Sequence, residues 1–482
     1  MRESSLARLS HSGAMMMERE SGLRKNTLGL FSLIFFVVAA ASPLTGVVGG
    51  LPVAIAGGNS AGIATFYLLS CGILILFSIG FLAMSQYVKN SGAFYTYIRQ
   101  GLGDNWGSSA SIIALLAYIS IQIAIVAMLG YFSAQLIAEQ FSLAVPWWLC
   151  SITFLLITWF LSIKRVEVGG KILGILMLAE VGIVLLTDIV LLLKHGHHHS
   201  LQPFQPSVFL HGNLGISFIF TIAAFIGFES TAIYAEECKD PHKTIPRATI
   251  CALLLITAFF CFTSWCLVQT YGAEQLIRLA RKEPENLILM ITRDNVGQWA
   301  VTAMSVLLIS SLFAATVAFH NNISRYLFSM SRDGLIWQQL CKIHPDNGTP
   351  HNASHLHSVI MLLLLIGLGA MNVDPMMHIF ALGSAISTLC VLLLQLGVCA
   401  AVINFFRHQR HQRGAWSTFW APLLSFFAML FTVLLVINNL PVLVGGESRM
   451  TRMIPAVIVI CSVLGYLWSK RVAIKRGCAE KN

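Results

Sequence analysis

Runs of apolar residues long enough to cross a lipid bilayer recur from residue 28 to residue 469, and no other feature limits so sharply what this chain can fold into. A bilayer core takes about 20 apolar residues per helix. Twelve runs reach or approach that length, at 28–57, 61–84, 106–138, 144–162, 168–193, 213–236, 248–271, 299–330, 355–373, 376–405, 418–443 and 454–469, numbered here as spans 1 to 12. Charged residues make up 11% of the chain, against roughly 25% in soluble domains. A chain this apolar needs lipid as its solvent, and the expected fold is an all-α integral membrane protein of about twelve helices. Span 9 is the least regular, because His355 and His357 crowd its start. Spans 8 and 10 are long enough to tilt or to run on past the bilayer.

The formal charge of +10 would suggest nucleic acid in a soluble protein. Here the basic residues sit in short loops between apolar runs, where they report orientation instead. With the N-terminus inside, the inner segments hold 24 of the 31 Lys and Arg. The outer set is Lys194, Arg278, Arg281, Lys282, Arg293, Arg449 and Arg452. The bias holds loop after loop, so both ends are expected to be cytoplasmic, in the cell (inner) membrane, with an even number of spans. The polar tail 1–27 is expected to precede span 1 without a cleavable signal peptide, and Met15, Met16 and Met17 suggest an alternative start. A second tail covers 470–482. The cysteines form no CxxC pair and mostly lie inside apolar runs, where they read as small buried hydrophobes.

Most loops are short. The exception, about 272–298, has apolar residues at spacings of three and four and is expected to form amphipathic helices over the outer face. His195, His197, His198 and His199 cluster in the outer loop before span 6 and read as a solvated His-rich loop rather than a metal site.

Two spans are interrupted. Span 1 reads FFVVAAASPLTGVVGGLPVAIAGG, where Pro43 removes a backbone donor and Gly46, Gly49 and Gly50 weaken the helix around it. Span 6 reads FIFTIAAFIGFESTAIYAEE, with Gly227 mid-span, Ala223 and Ala224 before it and Glu229 after. Irregular backbone inside a membrane is tolerated where it faces protein or a watery cavity. Breaks in matching positions of two halves are the best sequence pointer to a carrier's site. Free amides at a break suit a carboxylate and free carbonyls suit an ammonium group, so a zwitterionic amino acid would use both.

Glu180, Asp188 and Glu229 lie within spans that carry no mid-span Lys or Arg. A carboxyl group with no cationic partner in low dielectric is a candidate for carrying a proton. Glu180 is central in span 5. Asp188 lies nearer the outer end, where it is expected to reach water. Glu229 adjoins the break, where it either faces the substrate or caps the second half of span 6. His320, with Asn321 and Asn322, lies in span 8, where polar side chains bond between helices.

Three segments carry a resemblance. GFESTAIYAEECKDPHKTIPRAT at 227–249, NSGAFYTYIRQGLG at 90–103 and NISRYLFSMSRDGLIW at 322–337 resemble the amino acid–polyamine–organocation (APC) transporter superfamily, at the end of span 6, after span 2 and at the end of span 8. The resemblance implies a LeuT-type inverted repeat of five plus five helices, 28–193 and 213–405, with two further helices at 418–469. It implies a central site between spans 1, 3, 6, 8 and 10. By position, the substrate carboxylate would meet Ser42, Thr45 and Gly46, and the ammonium would meet carbonyls near Ala223, Phe225 and Ile226 beside Gly227. Phe225 or Phe228 would gate the pocket. The sequence departs from the family pattern at Pro43-Leu44-Thr45-Gly46, which replaces a Gly-small-Gly element. Some relatives place a Lys in span 5, where this chain has Glu180. Ser311 matches one hydroxyl expected near an ion position, and Ala315 replaces another. An incomplete oxygen set favours protons over sodium, although Glu180 could itself ligate sodium.

The implied function is a permease for amino acids, coupled to protons or working as an exchanger. The alternatives are a cationic amino acid or polyamine carrier, a sodium-coupled carrier, and less readily a membrane sensor or enzyme. A channel should show filter repeats or charge rings. An ATP-driven pump should show GxxxxGK[ST], which is absent from the sequence. The expected partners are a small-molecule substrate, an amino acid, with protons or sodium, and lipid, and no nucleic acid, cofactor or metal.

Overall fold

The computed structural model describes residues 29–58, 62–88, 92–164, 170–195, 200–234, 238–344, 348–408, 413–443 and 449–479. The tail with Met15–Met17, the side chain of His195, and His197, His198 and His199 lie outside the described residues.

Among the described residues every element is a helix. Nine of these helices are long and apolar enough to cross a membrane unaided, and they correspond to spans 2–5 and 7–11. Three shorter apolar helices, Pro43–Gly57, Leu214–Ala223 and Met453–Ser469, fall in spans 1, 6 and 12. Spans 1 and 6 are short for a physical reason: each helix stops inside the bundle and restarts. Span 1 runs Leu30–Ala41 and resumes at Pro43. Span 6 runs Leu214–Ala223, passes through turns, and resumes at Ser230–Ile233. The helix of span 12 continues to Ala479, past the expected boundary at 469.

Span 3, Asp104–Phe141, is the longest helix and packs against spans 4, 8, 10 and 12. Span 2, Ile63–Ser85, packs against spans 7 and 11. The first half of span 1 lies on spans 7 and 8. Small residues permit close approach of helices where lipid gives no hydrophobic drive. At Gly101 a Cβ would stand 2.3 Å from the Ala401 carbonyl oxygen, so only glycine allows this contact with span 10.

Shorter helices follow spans 2 and 7. A helix at Ala93–Leu102 follows span 2. Helices at Ala273–Lys282 and Leu287–Asn295 follow span 7, in the segment expected to be amphipathic. In the first of that pair Leu276 and Ala280 are buried, while Glu274, Arg278, Arg281 and Lys282 lie on exposed positions. Arg281 Nε donates to the Ala56 carbonyl at 3.0 Å, which ties this helix to the end of span 1.

Candidate functional site at two broken helices

Ser42 is the break in span 1. Its backbone lies in the left-handed region, with φ 47° and ψ 72°, and its N–H donates to the Val38 carbonyl. Pro43 then starts the second segment at the first helical position, where its missing N–H costs nothing. A helix that restarts at Pro43 leaves the Leu44 and Thr45 amides with no carbonyl one turn before them in the same segment. The Ser42 hydroxyl lies 2.5 Å from the Thr45 hydroxyl and 2.8 Å from that of Ser311 on span 8. Glu180 on span 5 is buried beside the hydroxyls of Ser310 and Ser311. Four sequence-predicted residues from spans 1, 5 and 8 therefore meet in one cluster of oxygens. Gly46 faces elsewhere: a Cβ there would stand 2.4 Å from the ring of Phe260 on span 7.

The break in span 6 is a run of tight turns. Phe225 N–H donates to the Ile222 carbonyl, Ile226 to Ala223, and Phe228 to Phe225. The Ala223 and Phe225 carbonyls thus each accept one bond and keep a second lone pair. Gly227 has φ +109°, a conformation that side chains rarely adopt, and a Cβ there would meet the Ala40 Cβ at 2.7 Å. The breaks of spans 1 and 6 therefore abut.

Glu229 does not project freely into a cavity. One carboxylate oxygen accepts from the Tyr118 hydroxyl of span 3 at 2.5 Å, and the other accepts from the Gly227 N–H at 3.1 Å. The carboxylate braces the break that Gly227 makes possible. Asn322 Nδ2 donates to the Ser230 hydroxyl at 2.7 Å, tying span 8 to the restart of span 6. Phe228 packs edge-on against Phe77 of span 2, within a cluster that includes Phe81 and Phe94. Phe225 and Ile226 are buried.

The structure corrects the expectation for Asp188. It does not reach water: it is 1% exposed and accepts from the Thr263 hydroxyl of span 7 at 2.7 Å. Its position near the end of the apolar run is offset by neighbouring helices that cover it. His320 faces span 9, where its Nε2 lies 2.8 Å from the Ser354 hydroxyl and its ring stands 4.9 Å from that of His357. Sequence reasoning missed Tyr118 and Phe260. The usable signal for Tyr118 was a polar hydroxyl inside the apolar run of span 3. Nothing along the chain pointed to Phe260.

At the breaks Ser42, Thr45, Phe225, Phe228 and Glu229 are buried, and Gly46 and Ala223 are partly exposed. A cavity of about 310 Å³ does open at the other end of span 3, lined by Gln135, Glu139, Glu283, Arg293 and Ser305 among others. No residue of spans 1 or 6 lines it, so it is separate from the breaks.

The family model for amino acid permeases matches residues 28–464. A branched-chain amino acid permease of Bacillus subtilis (strain 168) is 26% identical over 86% of this chain and 81% of its own length. A serine/threonine exchanger of the same organism is 24% identical over 73% of this chain and 78% of its own. Among solved structures, that of MhsT in complex with L-phenylalanine matches 86% of this chain and all of its own, with a TM-score of 0.60 at 15% identity, which is a likeness of fold.

Proposed function

This chain belongs to the amino acid permease family and transports amino acids across a membrane rather than catalysing covalent chemistry, and from that premise we propose a carrier for neutral amino acids coupled to protons through Glu180. The observation that carries the reading is the oxygen cluster of Ser42, Thr45, Ser311 and Glu180 at the break of span 1. A substrate carboxylate seated on the amides after Ser42 would sense this cluster directly. The substrate's ammonium group would take the second lone pairs of the Ala223 and Phe225 carbonyls or the Ile226 carbonyl, with Thr45, Gly227 and Phe228 shaping the surround. A proton on Glu180 neutralises the only carboxyl group in that cluster and loosens its hold on Ser311.

Two things favour a neutral substrate over a cationic one. Glu229 already has both carboxylate oxygens engaged. The relatives named for branched-chain amino acids and for serine and threonine handle neutral side chains. The proposed organisation is a repeat at 28–193, its inverted partner at 213–405 and two further helices at 418–469, alternating between faces. Both tails, 1–27 and 470–482, are assigned to the cytoplasmic side of the cell membrane by the excess of Lys and Arg in the inner segments.

Uptake of a labelled amino acid panel into proteoliposomes tests the reading. A pH gradient should drive uptake, and Glu180→Gln should keep substrate binding while losing the dependence on the gradient. Three hydroxyls and a carboxylate are also a plausible sodium set, because hard cations take oxygen ligands. Uptake that depends on sodium at fixed pH would replace the proton reading with that one.

A further inference from the structure

Between the broken part of span 6 and the helix Ala93–Leu102 runs a line of tyrosines that substrate binding does not use. Glu229 accepts from Tyr118. The Tyr118 ring lies 5.2 Å from that of Tyr326 on span 8, and Tyr326 lies 5.7 Å from Tyr95. The Tyr95 hydroxyl donates to Asp333 Oδ2 at 3.2 Å, and Arg99 holds the same oxygen at 2.8 Å while also reaching Asp104 at 2.6 Å. The line starts at a fully buried carboxylate and ends at a face where Asp104 is 73% exposed.

Tyrosine is a costly choice along this line. The neighbouring aromatic cluster is built from Phe77, Phe81 and Phe94, which pack equally well without a polar atom. A buried polar group left unsatisfied costs about 1–3 kcal/mol. The Tyr326 hydroxyl is buried and makes no hydrogen bond of ordinary geometry, although the Tyr118 hydroxyl and the Phe94 backbone are near it. A phenol both donates and accepts, so it can take a proton on its lone pair as it gives up its own. A hydroxyl that is close to a neighbouring hydroxyl without a well-formed bond, midway between two that have carboxylate partners, has the chemistry of a link that closes transiently.

We propose that Tyr118, Tyr326 and Tyr95 form a proton relay between Glu229 and Asp333, through which the carboxyl group of span 6 exchanges its proton with the face that carries Ala93–Leu102. Protonated Glu229 gives its proton to the Tyr118 oxygen. The proton that Tyr118 carried passes to Tyr326, directly or through one water, and that of Tyr326 passes to Tyr95. Tyr95 gives its own proton to Asp333 Oδ2, which releases it to solvent. Glu229 ends ionised, each tyrosine ends neutral, and one proton has crossed. The groups facing the buried end are Tyr118 of span 3, the Gly227 amide, and Tyr326 of span 8. Arg99 and Asp104 face the far end, and Arg325 is turned onto the ring of Tyr234 at 4.5 Å.

The relay rests on the proton-coupled reading: the proton taken up with substrate at Glu180 passes to Glu229 across the abutting breaks of spans 1 and 6 and leaves by this route, so its test must separate the two. Tyr326→Phe removes one hydroxyl and keeps the ring. In proteoliposomes with a pH dye inside, substrate-driven proton movement should fall roughly a hundredfold, the lower range for loss of a proton-transfer group. Counterflow exchange of labelled substrate, which needs no net proton movement, should be unchanged. Tyr95→Phe should give the same split. Full proton movement in both variants overturns the relay and leaves the role of Glu180 standing. Loss of counterflow along with proton movement also overturns it, because the hydroxyl would then serve the fold. An unaltered protein that moves no protons with its substrate overturns proton coupling itself, and the relay with it.

Discussion

Gly227 is under two constraints at once: a φ of +109° and the Ala40 methyl group where its own Cβ would stand. A side chain forced into such backbone costs on the order of 1–3 kcal/mol. The clash with Ala40 adds to it and pushes span 1 away from span 6. Gly227→Ala should therefore lower transport roughly tenfold or more, while the protein still inserts and purifies as a folded carrier. Uptake rate against the amount of folded protein checks this, and full activity would show that the two breaks need not touch. The same residue marks what could be read along the chain. A mid-span glycine, with Ala223 and Ala224 shortly before it and Glu229 two residues after it, pointed to a break. That the glutamate bonds back to the Gly227 amide and across to Tyr118 follows from three helices meeting, which no local pattern encodes. Asp188 teaches the same lesson, since its partner Thr263 is contributed by another span.

Among the elements, the two breaks were legible because proline and glycine disturb a helix wherever they stand, and the amphipathic helices after span 7 because their period is local. Their roles differ. The breaks carry the polar backbone, whereas Ala273–Lys282 covers the end of span 1 through Arg281. Between the two covering helices lies Glu285, which burial, and then the carboxylates of Asp374 and Glu283, push above the ordinary glutamate range. A carboxyl group whose proton is held more tightly in the folded state contributes stability that is complete at acid pH and is lost as pH rises through its folded value. Glu285→Gln should thus leave the unfolding temperature unchanged at acid pH and raise it at neutral pH. Thermal unfolding of the purified protein at two pH values checks this, and an unfolding temperature unaltered at neutral pH would contradict it.

At the scale of the whole molecule, hydropathy points to twelve apolar runs, a length criterion finds nine helices among the described residues, and breaks account for two of the three that fall short. Spans 1 and 6 are short because they are broken, and a break in the first span of each set of five is the architecture's central device. Most side chains at the breaks are buried here, Ser42, Thr45, Phe225, Phe228 and Glu229 among them, while Gly46 and Ala223 keep partial exposure. These two breaks, and not the cavity beside Glu139 and Arg293, are proposed to hold the transported amino acid. The most direct measurement is a structure of the carrier with its transported amino acid bound. The account predicts the substrate carboxylate on the amides that follow Ser42 and its ammonium on the carbonyls between Ala223 and Ile226. An amino acid bound only in the cavity beside Glu139 and Arg293, with the breaks unoccupied, would contradict it.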